Sequence, residues 1–169
     1  MALTLADVLT ATRDLLNEAA AAFYTDAQIT RFIQQATLDI STVAHCVEAT
    51  ALLTMVTNTS SYATATGTVK VHHCEWVTTR QALRKITPSL LGEASTDTTG
   101  DQQYRWFEWA SAVYVEPTPN STANNKTIRY YHSLATQDVT LLPDSYQVLA
   151  IWYATAMGKF KDKRYQEGA

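Results

Sequence analysis

The spacing of apolar residues changes twice along this chain, and this change constrains the fold more than any other feature. Up to Cys46, apolar residues recur at steps of three and four, which is typical of amphipathic helices. The middle of the chain is instead rich in Thr, Val and aromatic residues, with turn residues between short runs, which favours β-strands. After Pro143 the helical spacing returns. The sequence therefore predicts an α+β fold with helices at both ends.

Two helices are predicted in the N-terminal part, over residues 4–22 and 25–46. Thr4 is a suitable cap for the first, and Asp7 stands three residues on, facing the positive end of the helix dipole. Thr25 and Gln28 have the form of a capping box before the second helix. Because the connection between the helices is short, we expect them to pack as an αα-hairpin.

Six strands are predicted in the middle of the chain: Ala51–Thr57, Tyr62–Thr66, Thr68–Trp76, Tyr104–Ala110, Ala112–Glu116 and Lys126–His132. The alternation within the third begins cleanly at Val69 and blurs by His73. The fourth and fifth are expected to form a hairpin. Residues 79–92 carry both strand and helix signals, and residues 94–103 are predicted to be an exposed loop.

A last helix is predicted from a cap at Asp144 to Phe160, followed by a basic tail. Its apolar face is predicted to consist of Tyr146, Leu149, Ala150, Tyr153, Met157 and Phe160. The predicted domains are residues 1–48 as a helical hairpin, 49–142 as an inserted antiparallel β region, and 143–169 as a helix and tail. The last of these is expected to pack with residues 1–48.

Composition narrows the class of protein. The net charge of −3 and the pI of about 5.7 argue against a protein that grips nucleic acid over a broad basic face. Two cysteines are too few for a disulfide scaffold, so reduced thiols are expected. The segment Met1–Leu9 lacks the basic residues of a secretory signal, and the uncharged stretch Val148–Met157 is shorter than the roughly 20 residues that span a bilayer.

No motif in the sequence indicates an active site. The residues that suit a metal are His45, Cys46, His72, His73 and Cys74. Their spacing fits no compact zinc pattern, and neighbours on a strand point to opposite faces. A small metal-dependent enzyme is therefore the least favoured function. The strand carboxylates Glu75, Glu108 and Glu116 are expected to face solvent, and neither a catalytic residue nor a cofactor is predicted.

Aromatic residues are concentrated in the predicted hairpin: Tyr104, Trp106, Phe107, Trp109 and Tyr114. Alternation would bury one set and leave the other facing outward or onto a neighbouring subunit. The outward pair would be either Tyr104 with Trp106 or Phe107 with Trp109. An alternative function is a carbohydrate- or surface-binding β module that uses the aromatic hairpin Tyr104–Tyr114.

The order of these segments resembles the head–tail adaptor proteins, also called connector or neck proteins, of tailed bacteriophages. The matching segments are Tyr24–Ala36, Ala112–Pro119, Ile128–Tyr131 and Leu142–Tyr146, which opens the closing helix. The resemblance implies a structural virion subunit, made in the host cytoplasm, that forms a homo-oligomeric ring, commonly a dodecamer. The ring would lie in the neck beneath the portal protein and extend the DNA channel, with no sequence-specific DNA binding and no membrane contact.

The resemblance also implies a role for each part of the chain. The terminal helices would build the ring wall. A C-terminal segment would dock on the portal protein, and the matching residues are Lys159, Phe160, Lys161, Lys163, Arg164 and Tyr165. The β region, which simpler all-helical adaptors lack, would face a tail or further neck protein that the sequence leaves open. Candidate tail-side or inter-subunit residues are Tyr104, Trp106, Phe107 and Trp109.

Overall fold

A computed structural model of the chain describes residues 2–18, 23–87 and 99–166, without the side chains of residues 99 and 162–166. The chain divides into two compact units, Met1–Val47 with Ala135–Ala169, and Glu48–Leu134. The first is helical and the second is a β unit, so the predicted α+β class is confirmed. The predicted domains, residues 1–48, 49–142 and 143–169, stay a prediction.

The helical unit contains α1 (Leu5–Leu16), α2 (Asp26–Ala44) and α3 (Asp144–Gln166), with a 3-10 helix at Val139–Leu141. Both N-terminal predictions are confirmed: Thr4 and Thr25 each accept a hydrogen bond from the backbone N–H three residues on. Asp7 completes a capping box for α1, as Gln28 does for α2. α1 ends at Leu16, earlier than predicted, and residues 19–22 of the predicted helix lie outside the described residues.

Arg13 holds the connection between α1 and α2 in place. Its buried guanidinium donates to the carbonyl oxygen of Tyr24 at 3.0 Å and to the carboxylate of Asp26, and it lies 3.6 Å from the carboxylate of Glu18. Tyr24 in turn donates from its hydroxyl to the carbonyl oxygen of Gly158 in α3, at 2.7 Å. The predicted packing of the helical hairpin with the C-terminal helix is therefore confirmed.

The buried face of α3 differs from the apolar face that the sequence predicts. The buried residues are Gln147, Ala150, Ile151, Ala154, Thr155 and Gly158. Gln147 faces inward because its amide accepts from the backbone N–H of Leu3 and donates to the carbonyls of Val139 and Leu142. A polar side chain therefore lies in the core, although the apolar pattern of the sequence did not predict Gln147 to face inward. Leu149, Tyr153 and Phe160, which were predicted to pack inward, are exposed. The helix also continues through the predicted basic tail to Gln166.

The described part of the β unit, residues 48–87 and 99–134, has nine strands: β1 (Glu48–Thr54), β2 (Ser61–Ala63), β3 (Thr68–Trp76), β4 (Arg84–Lys85), β5 (Thr99–Gly100), β6 (Arg105–Trp109), β7 (Ala112–Glu116), β8 (Thr118–Pro119) and β9 (Thr127–Leu134). They form sheets of order β1-β9-β3, β2-β7-β6-β4 and β5-β8. Pairing is antiparallel except in the two-residue pairs β4-β6 and β5-β8. The predicted inserted antiparallel β region is thereby confirmed.

The structure describes part of the ambiguous region 79–92 and part of the predicted loop 94–103. Residues 79–92 contain β4 and the buried Leu83 and Ile86, and the remainder from residue 88 lies outside the described residues. Of the predicted loop at 94–103, residues 94–98 also lie outside them, and Thr99–Gly100 pairs with β8. The core of the β unit is formed by Leu53, Met55, Val71, Cys74, Trp76, Leu83, Trp106, Val113, Val115, Ile128 and Tyr130.

Candidate interaction surfaces

The aromatic hairpin predicted from the sequence is formed by β6 and β7. Its two-residue turn, Ala110 and Ser111, has positive φ at both positions, as a type I′ hairpin turn requires. Trp106 is only 1 % exposed, and its indole N–H donates to the carbonyl of Leu83 at 3.2 Å. Phe107 is also buried and stacks on Tyr114, with ring centroids 4.7 Å apart.

Neither of the two aromatic pairs predicted from strand alternation is exposed as a pair. Tyr104 is half exposed while Trp106 is buried, and Trp109 is 62 % exposed while Phe107 is buried. Trp106 and Phe107 are neighbours within β6 and both are buried, whereas Trp109 is the last residue of the strand. Tyr104 and Trp109 are therefore the candidate contact residues of this hairpin. A carbohydrate platform built on the whole hairpin loses the two rings that are packed inside.

The basic C-terminal segment is part of α3. Lys159 and Phe160 are exposed, and the ammonium group of Lys161 lies 5.9 Å from the ring centroids of both Tyr24 and Phe32. The backbone of Lys163, Arg164 and Tyr165 is helical, and their side chains are not described. Cations in the last turns of a helix interact favourably with its dipole. This segment is thus a helical basic end rather than a frayed tail.

A second surface on α3 was missed by the sequence prediction. Val148, Leu149, Trp152 and Tyr153 are 44, 48, 64 and 44 % exposed, and they follow one another at helical spacing with Ala156. We call these five residues the apolar stripe. A signal for it exists in the sequence, because residues 145–158 contain no charged residue. A helix with one solvent-facing side normally carries charges there.

The edge of the apolar stripe carries one polar contact. The hydroxyl of Tyr153 donates to the carboxylate of Asp39 in α2 at 2.9 Å, and this hydrogen bond raises the pKa of the Tyr153 phenol. Its ring is therefore held in a fixed orientation on the surface of the helical unit. A preorganised aromatic side chain loses little conformational entropy when a partner covers it.

The strand carboxylates do not all face solvent as predicted. Glu75 is buried and accepts hydrogen bonds from Arg129 at 3.3 Å and from the hydroxyl of Tyr131 at 3.0 Å. Arg129 stands directly opposite Glu75 on the neighbouring strand, so the charge is neutralised within the sheet. Glu108 accepts from the backbone N–H of Val71. These contacts give the two carboxylates structural roles in the sheet.

The His and Cys residues are divided between the units, with His45 and Cys46 in the helical unit and His72, His73 and Cys74 in the β unit. Among the described residues, no group of three or more His, Cys, Asp or Glu side chains could hold a metal ion. Burial raises the pKa of the Cys74 thiol to about 12, which suppresses its reactivity. Within the same residues, no helix is long and apolar enough to cross a bilayer.

The chain matches a known protein family over almost its whole length. Residues 3–169 match the family described as SU10 adaptor protein, which covers both the helical unit and the β unit. No curated protein matches the chain. The predicted resemblance to phage head–tail adaptors is confirmed by this match.

Proposed function

The chain belongs to the SU10 adaptor protein family, a head–tail adaptor family, and from this we propose that it is a ring-forming structural subunit of a phage neck. The ring joins the portal vertex of the head to the tail and extends the DNA channel. In this role the chain is a structural protein and not an enzyme. The observation that carries the proposal is the extent of the match, from residue 3 to residue 169, so both units belong to the adaptor.

The helical unit suits the ring wall. α1 and α2 both pack on α3, and the buried Arg13 and Tyr24 fix the connection between them. A compact unit of three packed helices is a suitable building block for a closed ring, because each copy must meet the next at the same angle. We propose a homo-oligomer, with twelve copies as the expected number.

The basic end of α3 is the proposed portal contact. It offers the exposed Lys159 and Phe160, with Lys161, Lys163, Arg164 and Tyr165 following in sequence. An aromatic side chain beside cations combines an anchor with electrostatic steering, and the complementary surface is acidic.

The β unit is the proposed contact for a tail or further neck protein, through the exposed Tyr104 and Trp109. The acidic balance of the chain, with a net charge of −3, supports a role in which DNA slides past without being held. A neck ring of this kind is a component of the virion.

The test is native mass spectrometry and negative-stain imaging of the purified protein, alone and with purified portal protein. We expect a closed ring, or a ring that forms on the portal. The double variant Lys159→Glu, Lys161→Glu should weaken portal binding, and Lys70→Glu, at an exposed position of the β unit, is the matched control. Binding to the portal should also fall as salt is raised.

Two results would contradict the proposal. A protein that stays monomeric at high concentration and ignores the portal is not a neck ring subunit. If the Lys70→Glu control loses portal binding as strongly as the double variant does, the basic end of α3 is not the docking segment, even where a ring forms.

A further inference from the structure

We infer that α3 divides its outer surface between two partners, and that the apolar stripe binds a neighbouring copy of this chain. The inference rests on the proposed ring. It assigns the contact between copies to Val148, Leu149, Trp152, Tyr153 and Ala156. The basic end that begins at Lys159 is left to the portal.

The first argument is area. An aromatic side chain has roughly 150–250 Å² of surface and an aliphatic one somewhat less, so the exposed fractions of the stripe amount to about 400 Å². A contiguous apolar patch of this size is comparable to the largest patch on a typical monomer, and such patches are often functional. A standard interface uses about 800 Å² of each partner, so the stripe would supply about half of one side. The polar rim around it would supply the rest.

The second argument is the chemistry of the stripe, which selects the partner. Permanent contacts between copies are more apolar than transient ones, and charged residues are depleted from their centre. The absence of charge from residue 145 to residue 158 fits a contact of that permanent kind. Trp152 and Tyr153 at its centre are of the types that dominate interface energies. The basic end fits a partner of opposite charge instead.

The third argument is that the helical unit does not need the stripe for its own packing. The inner side of α3 includes the small residues Ala150, Ala154 and Gly158, and a Cβ atom on Gly158 would lie 3.0 Å from a methyl group of Leu16. α1 thus approaches α3 closely on the inner side. The large side chains of Trp152 and Tyr153 are on the exposed side of α3. A surface that assembly covers explains why aromatic residues occupy these exposed positions.

Trp152→Glu tests the inference directly, because Glu is a good helix former and the position is exposed. We expect association between copies to weaken about 30-fold or more, measured by native mass spectrometry and light scattering over a concentration series. Leu149→Gln, a milder change, should weaken association less. Leu52→Glu places the same charge on an exposed apolar position of the β unit and is the matched control, expected to assemble as wild type.

Folding is checked separately, so that a lost assembly is not a lost fold. All three variants should keep the melting temperature of the dissociated wild-type protein within about 2 °C, because the changed side chains are largely exposed. If Trp152→Glu unfolds, Leu149→Gln decides: a folded variant that assembles at wild-type concentrations overturns the inference.

Salt separates the two contacts. Raising the ionic strength to 1 M should leave association between copies intact or strengthen it, while portal binding through the basic end falls. Dissociation of the copies by salt would overturn the inference, since charges rather than the stripe would hold them. The inference is also overturned if Trp152→Glu forms normal rings but loses portal binding, because the stripe would then bind the portal and not a neighbouring copy. A wild-type protein that never forms a ring contradicts the proposed function itself.

Discussion

Replacing Trp106 by Ala should strongly destabilise the β unit, although Trp109, three residues away, can be replaced with little loss of stability. Trp106 is 1 % exposed within the core of the β unit, whereas Trp109 is 62 % exposed. The indole N–H of Trp106 donates to Leu83, and the ammonium group of Lys85 lies 4.6 Å from its ring centroid. The two variants therefore remove the same side chain from opposite environments.

The magnitude follows from burial. Truncating a buried Trp to Ala costs about 3–5 kcal/mol, through lost transfer free energy and the cavity that remains. The carbonyl of Leu83 also loses a hydrogen bond, worth about 1 kcal/mol. We expect a loss of about 4 kcal/mol for Trp106→Ala and less than about 0.5 kcal/mol for Trp109→Ala. Trp106→Phe keeps most of the volume and should cost about 1–2 kcal/mol.

Cys74 provides an assay that reports on the β unit alone. Its side chain is fully buried in the same core, so a thiol reagent reaches it only when this unit opens. Pulsed alkylation across a urea series gives the midpoint of opening. With an m-value of about 1–2 kcal/mol per molar, Trp106→Ala should lower the midpoint by roughly 2–4 M.

Equal midpoints for Trp106→Ala and Trp109→Ala would refute the reasoning. In that case the indole of Trp106 would contribute nothing to the core. Trp106 would then lie on a surface that faces another subunit or the tail, which is one of the two arrangements predicted from strand alternation. A selective loss of partner binding in Trp106→Ala, with the midpoint unchanged, would show the same.

Three further predictions concern stability and reactivity. Hydrogen bonds from Thr4 lower the pKa of Asp7, so its contribution to stability is complete above the ordinary carboxyl pKa and is lost as the pH falls through the lowered one. The melting temperature of Asp7→Asn should therefore lie below that of wild type at neutral pH and converge with it in acid. In the folded protein a maleimide should label Cys46, which is partly exposed, and leave Cys74 unlabelled; equal labelling would contradict the burial of Cys74. Arg13→Met should cost about 2 kcal/mol in thermal unfolding, less than for a fully buried pair because one carboxylate partner is largely exposed, whereas Arg31→Met should cost almost nothing.

Local signals in the sequence predicted local structure well. Thr4 and Thr25 cap their helices because the cap, its backbone partner and the returning side chain all lie within four residues. The β6–β7 hairpin was predictable for the same reason, since both strands and their turn are adjacent in sequence. Such features require no knowledge of what packs against them.

The facing of individual strand residues was not predictable, and β3 shows why. Its register against β9 shifts between Thr68 and Lys70 and again between Val71 and His73, where the alternation in the sequence blurs. Each irregularity moves the following side chains relative to the partner strand. Glu75, expected to face solvent, is placed by this register directly opposite Arg129 and is buried. The pairing that decides its role joins residues that are far apart in sequence.

The orientation of α3 was unpredictable for a different reason, which bears on function. Apolar residues surround this helix, so periodicity alone cannot distinguish a side that packs on α1 and α2 from a side that packs on something else. A polar residue, Gln147, resolves the ambiguity by bonding Leu3, Val139 and Leu142 on the inner side. A helix that is apolar on all sides is normally covered on all sides. The packing within one chain covers only the inner side. It follows that stability and assembly should separate in variants of α3, with inner changes such as Ala154→Glu unfolding the unit and outer changes such as Trp152→Glu leaving a folded monomer.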